Sequence, residues 1–548
     1  MMSCIFFARL LSLLLAASTT TYAVDVNYVL KLQNNVVAPD GFSRAGVIAN
    51  GVFPGTLIQA NKDDTLHITV NDQLTDPTMR RSVSIHWHGL FQMRTASEDG
   101  PAFLNQCPIS PGHSYTYDSK DHLLELAFFI SYNIAVPLNG QSGTFWYHSH
   151  FSSQYVDGLR GALVVYDPTD PHLSLYDVDD ASTVITLADW YHKAAPGMET
   201  VFLAGNDEPV PDAGLINGIG RYNKGPQVVR ARVNVQSGKR YRFRVINISA
   251  YASFRFSIEG HPLTIIEVDG INHVPHTVDG FDIYEAQRYS VVLNANKPVK
   301  NYWIRGPMTL QHSSDNKNLD TRNVYAVLHY QGAPNAEPTT QADVGVSNLL
   351  QEYQLAALEN PGAPGGSAPA DRSIDLNFSE QVTNGRLQWM INGISYESPD
   401  LPTLLNIIAN NYTQESDFTR PEHTFVLNQN DVIELIIHGS SHGHIHPFHL
   451  HGHAFDIVQS MKGPPNYVNP PRRDVVGVGG STVIIRFRAD NPGPWFLHCH
   501  IDWHVEAGLA VVFAEAPAAQ RSGPKSQIIK QEWLDLCPIY KALPADQQ

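Results

Sequence analysis

The chain is expected to be all-β, folded as antiparallel sandwiches, and three observations predict it. Runs of alternating β-branched and apolar residues, broken by Gly, Pro, Asn and Asp, recur along it: Thr65–Val70, Ala162–Tyr166, Val184–Leu187, Arg240–Asn247, Arg288–Leu293, Val432–Ile437 and Val483–Arg488. No long segment sustains a helical period, and no helix alternates regularly with the strands, as an α/β sheet would require. The 39 Gly and 36 Pro, beside 16% charged and 10% aromatic residues, suit a turn-rich globular protein rather than a disordered one.

At 548 residues the chain is long enough for roughly three or four domains. One composition shift falls at Tyr166-Asp167-Pro168. A second spans Gln331–Thr340 and is followed by the Gly/Ala/Pro run Pro361–Ala370, the composition of an exposed linker. The expected division is a leader at 1–23 and blocks of sandwich size at 24–166, 167–340 and 341–548. His-x-His pairs occur in the first and third blocks and not in the second, which therefore plays a different part.

The N-terminus has the pattern of a signal peptide: Arg9, the apolar stretch Leu10–Ala17, and Thr21-Tyr22-Ala23 as a small-residue cleavage site. No later stretch has the roughly 20 apolar residues of a membrane span. A secreted protein is expected, with sequons at Asn247, Asn377 and Asn411 as candidate glycosylation sites. The net charge of −16 argues against nucleic acid or an anionic membrane as partner. Losing the leader removes Cys4 and leaves Cys107, Cys499 and Cys537, an odd number that needs explaining outside the cell.

Four motifs carry the chemistry: His86-Trp87-His88-Gly89, Trp146-Tyr147-His148-Ser149-His150, His446-Pro447-Phe448-His449-Leu450-His451, and His498-Cys499-His500-Ile501-Asp502-Trp503-His504. Residues i and i+2 of a strand share a face, so each His-x-His pair offers two imidazoles to one place. A single such pair is ordinarily two surface or core histidines; four clusters in one chain point to metal. In the fourth, His498 and His500 face one way and Cys499 the other. A thiolate with two imidazoles is the ligand set of a blue-copper site, and Cys499 and His504 supply two of the three locally. Zinc is the runner-up, but a structural zinc site usually presents Cys-x-x-Cys, which this chain lacks.

These four motifs, in this order, resemble those of the multicopper oxidases. The flanking text resembles a basidiomycete laccase over nearly the whole mature chain: Gly143–His150, Tyr155–Gly161, Leu215-Ile216-Asn217-Gly218 and Glu506-Ala507-Gly508-Leu509. The resemblance implies three cupredoxin-like Greek-key β-sandwiches holding four copper ions. It places His446, Cys499 and His504 on a type 1 copper and His86 and His449 on a type 2 copper. His88, His148, His150, His451, His498 and His500 fall to a type 3 pair. Leu509 takes the axial position, where it cannot ligate and so favours Cu(I).

His442, His444 and His453 fall outside the motif and are expected to be solvent-exposed or to lie behind the ligands. By the same resemblance Asp212 is the substrate-pocket carboxylate, able to take a phenol's proton. Asp99 and Asp502 support proton delivery to oxygen. Cys107 and Cys537 form a disulfide between the C-terminal tail and the first block, which accounts for the odd cysteine count.

The implied activity is one-electron oxidation of phenols and aromatic amines, lignin-related or pigment-type, with reduction of dioxygen to water, by a monomer. The middle block becomes a spacer that helps shape the substrate pocket. An extracellular ferroxidase is the alternative within the enzymes and needs acidic residues beside the exposed edge of His504. A copper carrier without turnover is the alternative outside them. The chain departs from the family pattern twice. A second disulfide is missing, with Val156 and Pro211 at its positions. Lys120–Ile134 has no counterpart, and is either an inserted loop or translated intron sequence.

Overall fold

A computed structural model describes residues 23–119, 140–310, 316–342, 345–439 and 443–548. The expected leader except Ala23, the insert Lys120–Ile134 and His442 lie outside these residues.

The strands assemble into three pairs of sheets. The first pair orders 44–49, 25–37, 65–72, 114–119 in one sheet and 55–61, 160–166, 143–149, 85–88 in the other. The second pair has seven strands running from 219–220 to 271–278, against a sheet spanning 232–235 to 280–283. The third pair orders 386–391, 372–383, 432–438, 483–488, 455–459, 472–473 against 424–427, 510–515, 494–499, 446–450, 475–478. The predicted strand Arg240–Asn247 is found with those limits, and Val184–Leu187 extends to Trp190. The described helices are short, the longest being Gln531–Lys541.

The expectation of purely antiparallel sandwiches needs one correction. Each sandwich contains two parallel pairs, such as Asp25–Leu32 beside Thr65–Asp72 and Arg372–Asn377 beside Ile433–His438. The others join 55–61 with 160–166, 184–187 with 244–247, 232–235 with 327–330, and 424–427 with 512–515. Parallel neighbours need a crossover rather than a hairpin. Between 25–37 and 65–72 the chain supplies one through 55–61, which belongs to the opposite sheet. Period-2 alternation in sequence is blind to that choice.

Apolar side chains fill each sandwich, and the largest cluster ties all three together. It holds Trp146 and Val156 from the first, Trp190 and Leu215 from the second, and Phe448, Leu497 and Trp503 from the third. The Cys107–Cys537 disulfide forms as expected, with Cα atoms 5.0 Å apart. It anchors the helix Gln531–Lys541, whose Trp533 packs into the first core. Among the described cysteines only Cys499 is unbonded.

The sequon at Asn247 is corrected by its surroundings. Its side chain is buried, donating to the carbonyls of Ala252 and Ile283 while accepting the Ser249 amide, which leaves no room for a glycan. Asn377 and Asn411 are exposed.

Candidate metal centre

Two antiparallel strand pairs build the larger cluster. In the first sandwich Ile85–His88 pairs with Gly143–Ser149 in a register that sets His86 opposite His148. In the third, His446–Leu450 pairs with Pro494–Cys499, setting His449 opposite His498. Period 2 then brings His88, His150, His451 and His500 onto the same two faces. The imidazoles meet between the sandwiches: His88 lies 3.8 Å from His449 between ring centroids, His86 4.0 Å from His451, and His150 5.2 Å from His498.

Most of these rings have one nitrogen fixed by the surrounding chain. Nδ1 faces a backbone carbonyl in His86 (Asp99, 2.7 Å), His148 (Ser149, 2.8 Å), His449 (Asp474, 2.9 Å) and His498 (Cys499, 2.9 Å). His451 Nδ1 lies 2.9 Å from Asp99 Oδ2, and His88 Nε2 3.4 Å from Asp474 Oδ1. The opposite atoms are buried without a hydrogen bond: Nε2 of His86, His148, His150, His449 and His500, and Nδ1 of His88. Nε2 of His451 and Nε2 of His498 face each other at 3.1 Å.

Orphaned buried imidazole nitrogens are costly unless a cation takes their lone pairs. Burial pulls His88, His148, His150, His449, His451 and His500 well below the ordinary imidazole range, and His498 down to about 3. These seven imidazoles are therefore neutral and ready to ligate.

The smaller cluster lies on the other face of the same strand. Cys499 Sγ is 3.8 Å from His446 Nδ1 and 3.5 Å from His504 Nδ1, and the two Nδ1 atoms are 3.1 Å apart. His504 arrives here because the strand gives way to the helical turn Asp502–Glu506. Trp389 covers the site at 4.6 Å from His504 and 5.0 Å from His446, and Leu509 beside it is fully buried. Burial pushes the Cys499 thiol well above its usual value, so a bound cation is what would make it a thiolate. One sulfur and two imidazole nitrogens in a dry pocket fit copper.

The multicopper oxidase family description matches residues 31–122 and 130–170, 181–333 and 396–519. The chain belongs to the multicopper oxidases. It is 57% identical over 525 residues to Laccase-4 of Thanatephorus cucumeris, covering 94% of this chain and 95% of that one. It is 50% identical to Laccase-2 of Agaricus bisporus over 99% of this chain and 100% of the relative. Among solved structures, the laccase from Botrytis aclada superposes with a TM-score of 0.81 at 31% identity, over 95% of this chain and 92% of that one. Fet3p, a multicopper oxidase that functions in iron import, superposes with 0.80 at 29% identity, over 94% and 95%. Four coppers of types 1, 2 and 3 belong to this family, and the two donor sets have the chemistry to hold them.

The carboxylates of this oxidase have distinct settings. Asp99 grips two imidazoles, and Gly100 makes that possible: its φ is +103°, and a Cβ there would lie 1.9 Å from the Ile85 carbonyl oxygen. Burial raises Asp99 above the usual carboxylate range and Asp502 well above it. Asp502 lines a void of about 20 Å³ beside His148, His150, His498 and His500, room for one water. Asp212 lines a cavity of about 540 Å³ with Met198, Val201, Pro209 and Val210. His453 is buried rather than solvent-exposed, 3.0 Å from Glu515, while its Nδ1 lies 3.2 Å from the His451 carbonyl. His444 is half-buried.

Sequence reasoning missed two contacts. The Arg288 guanidinium of the middle sandwich gives hydrogen bonds of 2.6 and 2.7 Å to Asp474, the carboxylate facing His88. Glu208 Oε1 lies 2.8 Å from His504 Nε2. The middle block is thus more than a spacer. The Arg472-Arg473-Asp474 run was the one visible sign of the first contact; nothing in the local sequence marks the second.

Proposed function

We propose that this multicopper oxidase is an extracellular laccase. It takes single electrons from phenols and aromatic amines in the cavity beside His504 and reduces dioxygen to water at the eight-histidine cluster. Within this reading His446, Cys499 and His504 hold the type 1 copper, and His86 and His449 the type 2 copper. His88, His148, His150, His451, His498 and His500 hold the type 3 pair, and Leu509 is the axial non-ligand. The observation that carries it is the three-atom set of Cys499 Sγ, His446 Nδ1 and His504 Nδ1, whose cysteine is peptide-bonded on both sides to ligands of the larger cluster.

Bound copper supplies one-electron acceptance from the substrate and four-electron reduction of dioxygen to two waters. The protein supplies the rest. Trp389 and Leu509 keep water from Cys499, and the backbone from Cys499 to His498 and His500 gives a short covalent path between the two donor sets. Asp99 fixes the imidazoles of His86 and His451, and as a carboxyl raised by burial it can hold a proton beside them. Asp502 can do the same at the void next to His148 and His500.

The domain limits 24–166, 167–340 and 341–548 belong to this reading, supported by each pair of sheets drawing its strands from one interval. Secretion is supported by the leader pattern, the disulfide and the exposed sequons Asn377 and Asn411. No helix among the described residues is long and apolar enough to cross a membrane.

The test is Cys499→Ser. The variant is expected to keep its circular dichroism, lose the blue absorption, and lose phenol-driven oxygen uptake. A variant that still oxidised phenols at the parental rate would overturn the assignment of Cys499. Copper analysis with oxygen uptake on the parent also separates an oxidase from a copper carrier.

A further inference from the structure

Behind the eight-histidine cluster an aromatic ladder crosses the core of the first sandwich. Trp87 stands between His86 and His88 in the strand Ile85–His88, so its indole points away from the imidazoles and into the core. Its ring centroid is 5.2 Å from that of Tyr117, and Tyr117 is 4.8 Å from Tyr115. The two tyrosines share one face of Ser114–Ser119, a strand of the opposite sheet. All three rings are buried.

The rings differ in where their protons could go. Trp87 Nε1 has no hydrogen-bond partner. The Tyr117 hydroxyl donates to the side-chain oxygen of Gln106 at 2.9 Å, and an amide oxygen accepts a hydrogen bond without taking the proton. Tyr147 and Tyr155 donate to the backbone carbonyls of Thr56 and Ser249. Tyr115 alone among these donates to a carboxylate, Glu98 Oε1, at 2.7 Å. Glu98 is buried, its Oε2 has no partner, and Lys530 Nζ lies 3.2 Å from Oε1 and 2.9 Å from Asp118 Oδ2. Burial raises Glu98 above the usual carboxylate range, which strengthens it as a base.

Oxidised Trp87 or Tyr117 would have to keep its proton and remain a cation in an apolar core, which is costly. Oxidised Tyr115 can shed its proton and become neutral. An electron vacancy that enters the ladder therefore comes to rest on Tyr115.

We propose that Tyr115 is a redox-active tyrosine, an electron reserve that supplies the oxygen chemistry at the eight-histidine cluster through Tyr117 and Trp87 when substrate delivers too few electrons, with Glu98 as its proton acceptor. The proposal rests on the reading that dioxygen is reduced at those histidines. The Tyr115 O–H bond breaks: its electron goes to dioxygen reduction, its proton forms an O–H bond on Glu98 Oε1, and a neutral tyrosyl radical remains. Lys530 is then left with Asp118 as a neutral pair. An electron from the next phenol or aromatic amine returns by the same path, and Glu98 gives the proton back. The oxidant thus consumes a residue that can be restored, and the ligand histidines and Trp87 are spared.

The experiment uses the copper-loaded full chain and its Tyr115→Phe, Glu98→Gln and Tyr155→Phe variants. Each is given too little dithionite to reduce every copper, exposed to dioxygen, and freeze-quenched for electron paramagnetic resonance. The parent is expected to show a tyrosyl signal that narrows when the protein is grown on ring-deuterated tyrosine. Tyr115→Phe should lose the signal and Tyr155→Phe should keep it. Glu98→Gln, whose amide keeps the hydrogen bond but takes no proton, should suppress it with Tyr115 still in place. Over repeated cycles Tyr115→Phe should accumulate oxidised Trp87 by mass spectrometry and lose copper sooner than the parent. With excess phenol its kcat and KM should stay within about twofold of the parent, because Tyr115 belongs to neither donor set.

A parent that consumes dioxygen but gives no tyrosyl signal overturns the proposal. So does a signal that survives in Tyr115→Phe, or one lost in Tyr155→Phe alone. An unchanged signal in Glu98→Gln overturns the assignment of the proton acceptor. A copper-loaded parent that consumes no dioxygen with a phenol overturns the laccase reading, and the proposal with it.

Discussion

Glu285 is a buried carboxyl that, among the described residues, has no countercharge beside it: it accepts from the Ser253 hydroxyl, at 3.2 and 3.4 Å, and from its own backbone amide, with carboxylates further off. Burial pushes it up to about 8 from an ordinary 4.5, with Asp189 and Glu208 adding to the rise. The folded protein therefore binds a proton that the unfolded chain has released across that interval. The sign follows: Glu285 contributes fully below about pH 4.5, and its contribution is lost as pH rises toward about 8. The slope is at most about 1.4 kcal/mol per pH unit. Glu285→Gln should flatten the decline in melting temperature across this window relative to the parent. Parallel curves for the two proteins would show that Glu285 does not titrate there. At this scale the clustered histidines were legible, because period 2 puts both members of a His-x-His pair on one face. Glu208 was not, because its contact with His504 spans two sandwiches and is set by loops.

The elements explain why the ligands arrive where they do. The strand ends at Cys499, and the helical turn Asp502–Glu506 brings His504 back over the sulfur; an odd spacing of five along a continued strand would leave the two on opposite faces. The parallel pairs were hidden, because a crossover leaves no local mark. Lys120–Ile134 was visible only as text without a counterpart, and the family match breaks at 123–129 inside it. On either side the ladder is complete, with Ser114–Ser119 paired to 66–71 and Gly143–Ser149 paired to both neighbours. The segment carries Leu123, Leu124, Leu126, Phe128, Phe129 and Ile130, side chains that must be buried or form an aggregation-prone patch. Deleting it joins Tyr117-Asp118-Ser119 to Ala135-Val136-Pro137. That chain is expected to match or exceed the parent in soluble yield, copper content and oxygen uptake. An insoluble or copper-free deletion beside an active parent would establish the segment as a structural element.

Across the whole molecule the middle sandwich holds no imidazole of either cluster yet controls one of them. Arg288, 186 residues from Asp474, reaches it with both terminal nitrogens and also donates to the Thr144 carbonyl of the first sandwich. Asp269 accepts the Arg288 amide and pairs with Arg473, so three sandwiches meet in one buried ionic network. Gly89, with φ +96°, lets the chain pass: a Cβ there would come within 2.5 Å of the Arg288 guanidinium. Asp474 then faces His88 with its carboxylate and His449 with its carbonyl, fixing which nitrogen of each ring turns toward the metal side. Removing one partner of such a pair costs about 3–5 kcal/mol, because the other charge stays buried. Arg288→Met should therefore lower the melting temperature and reduce the copper held by the eight-histidine cluster. The blue absorption of the Cys499 site, which touches neither Arg288 nor Asp474, should remain. Copper content measured against absorption distinguishes this from general destabilisation. Loss of both copper sites in equal proportion would mean that Arg288 only supports the fold and does not orient His88 and His449.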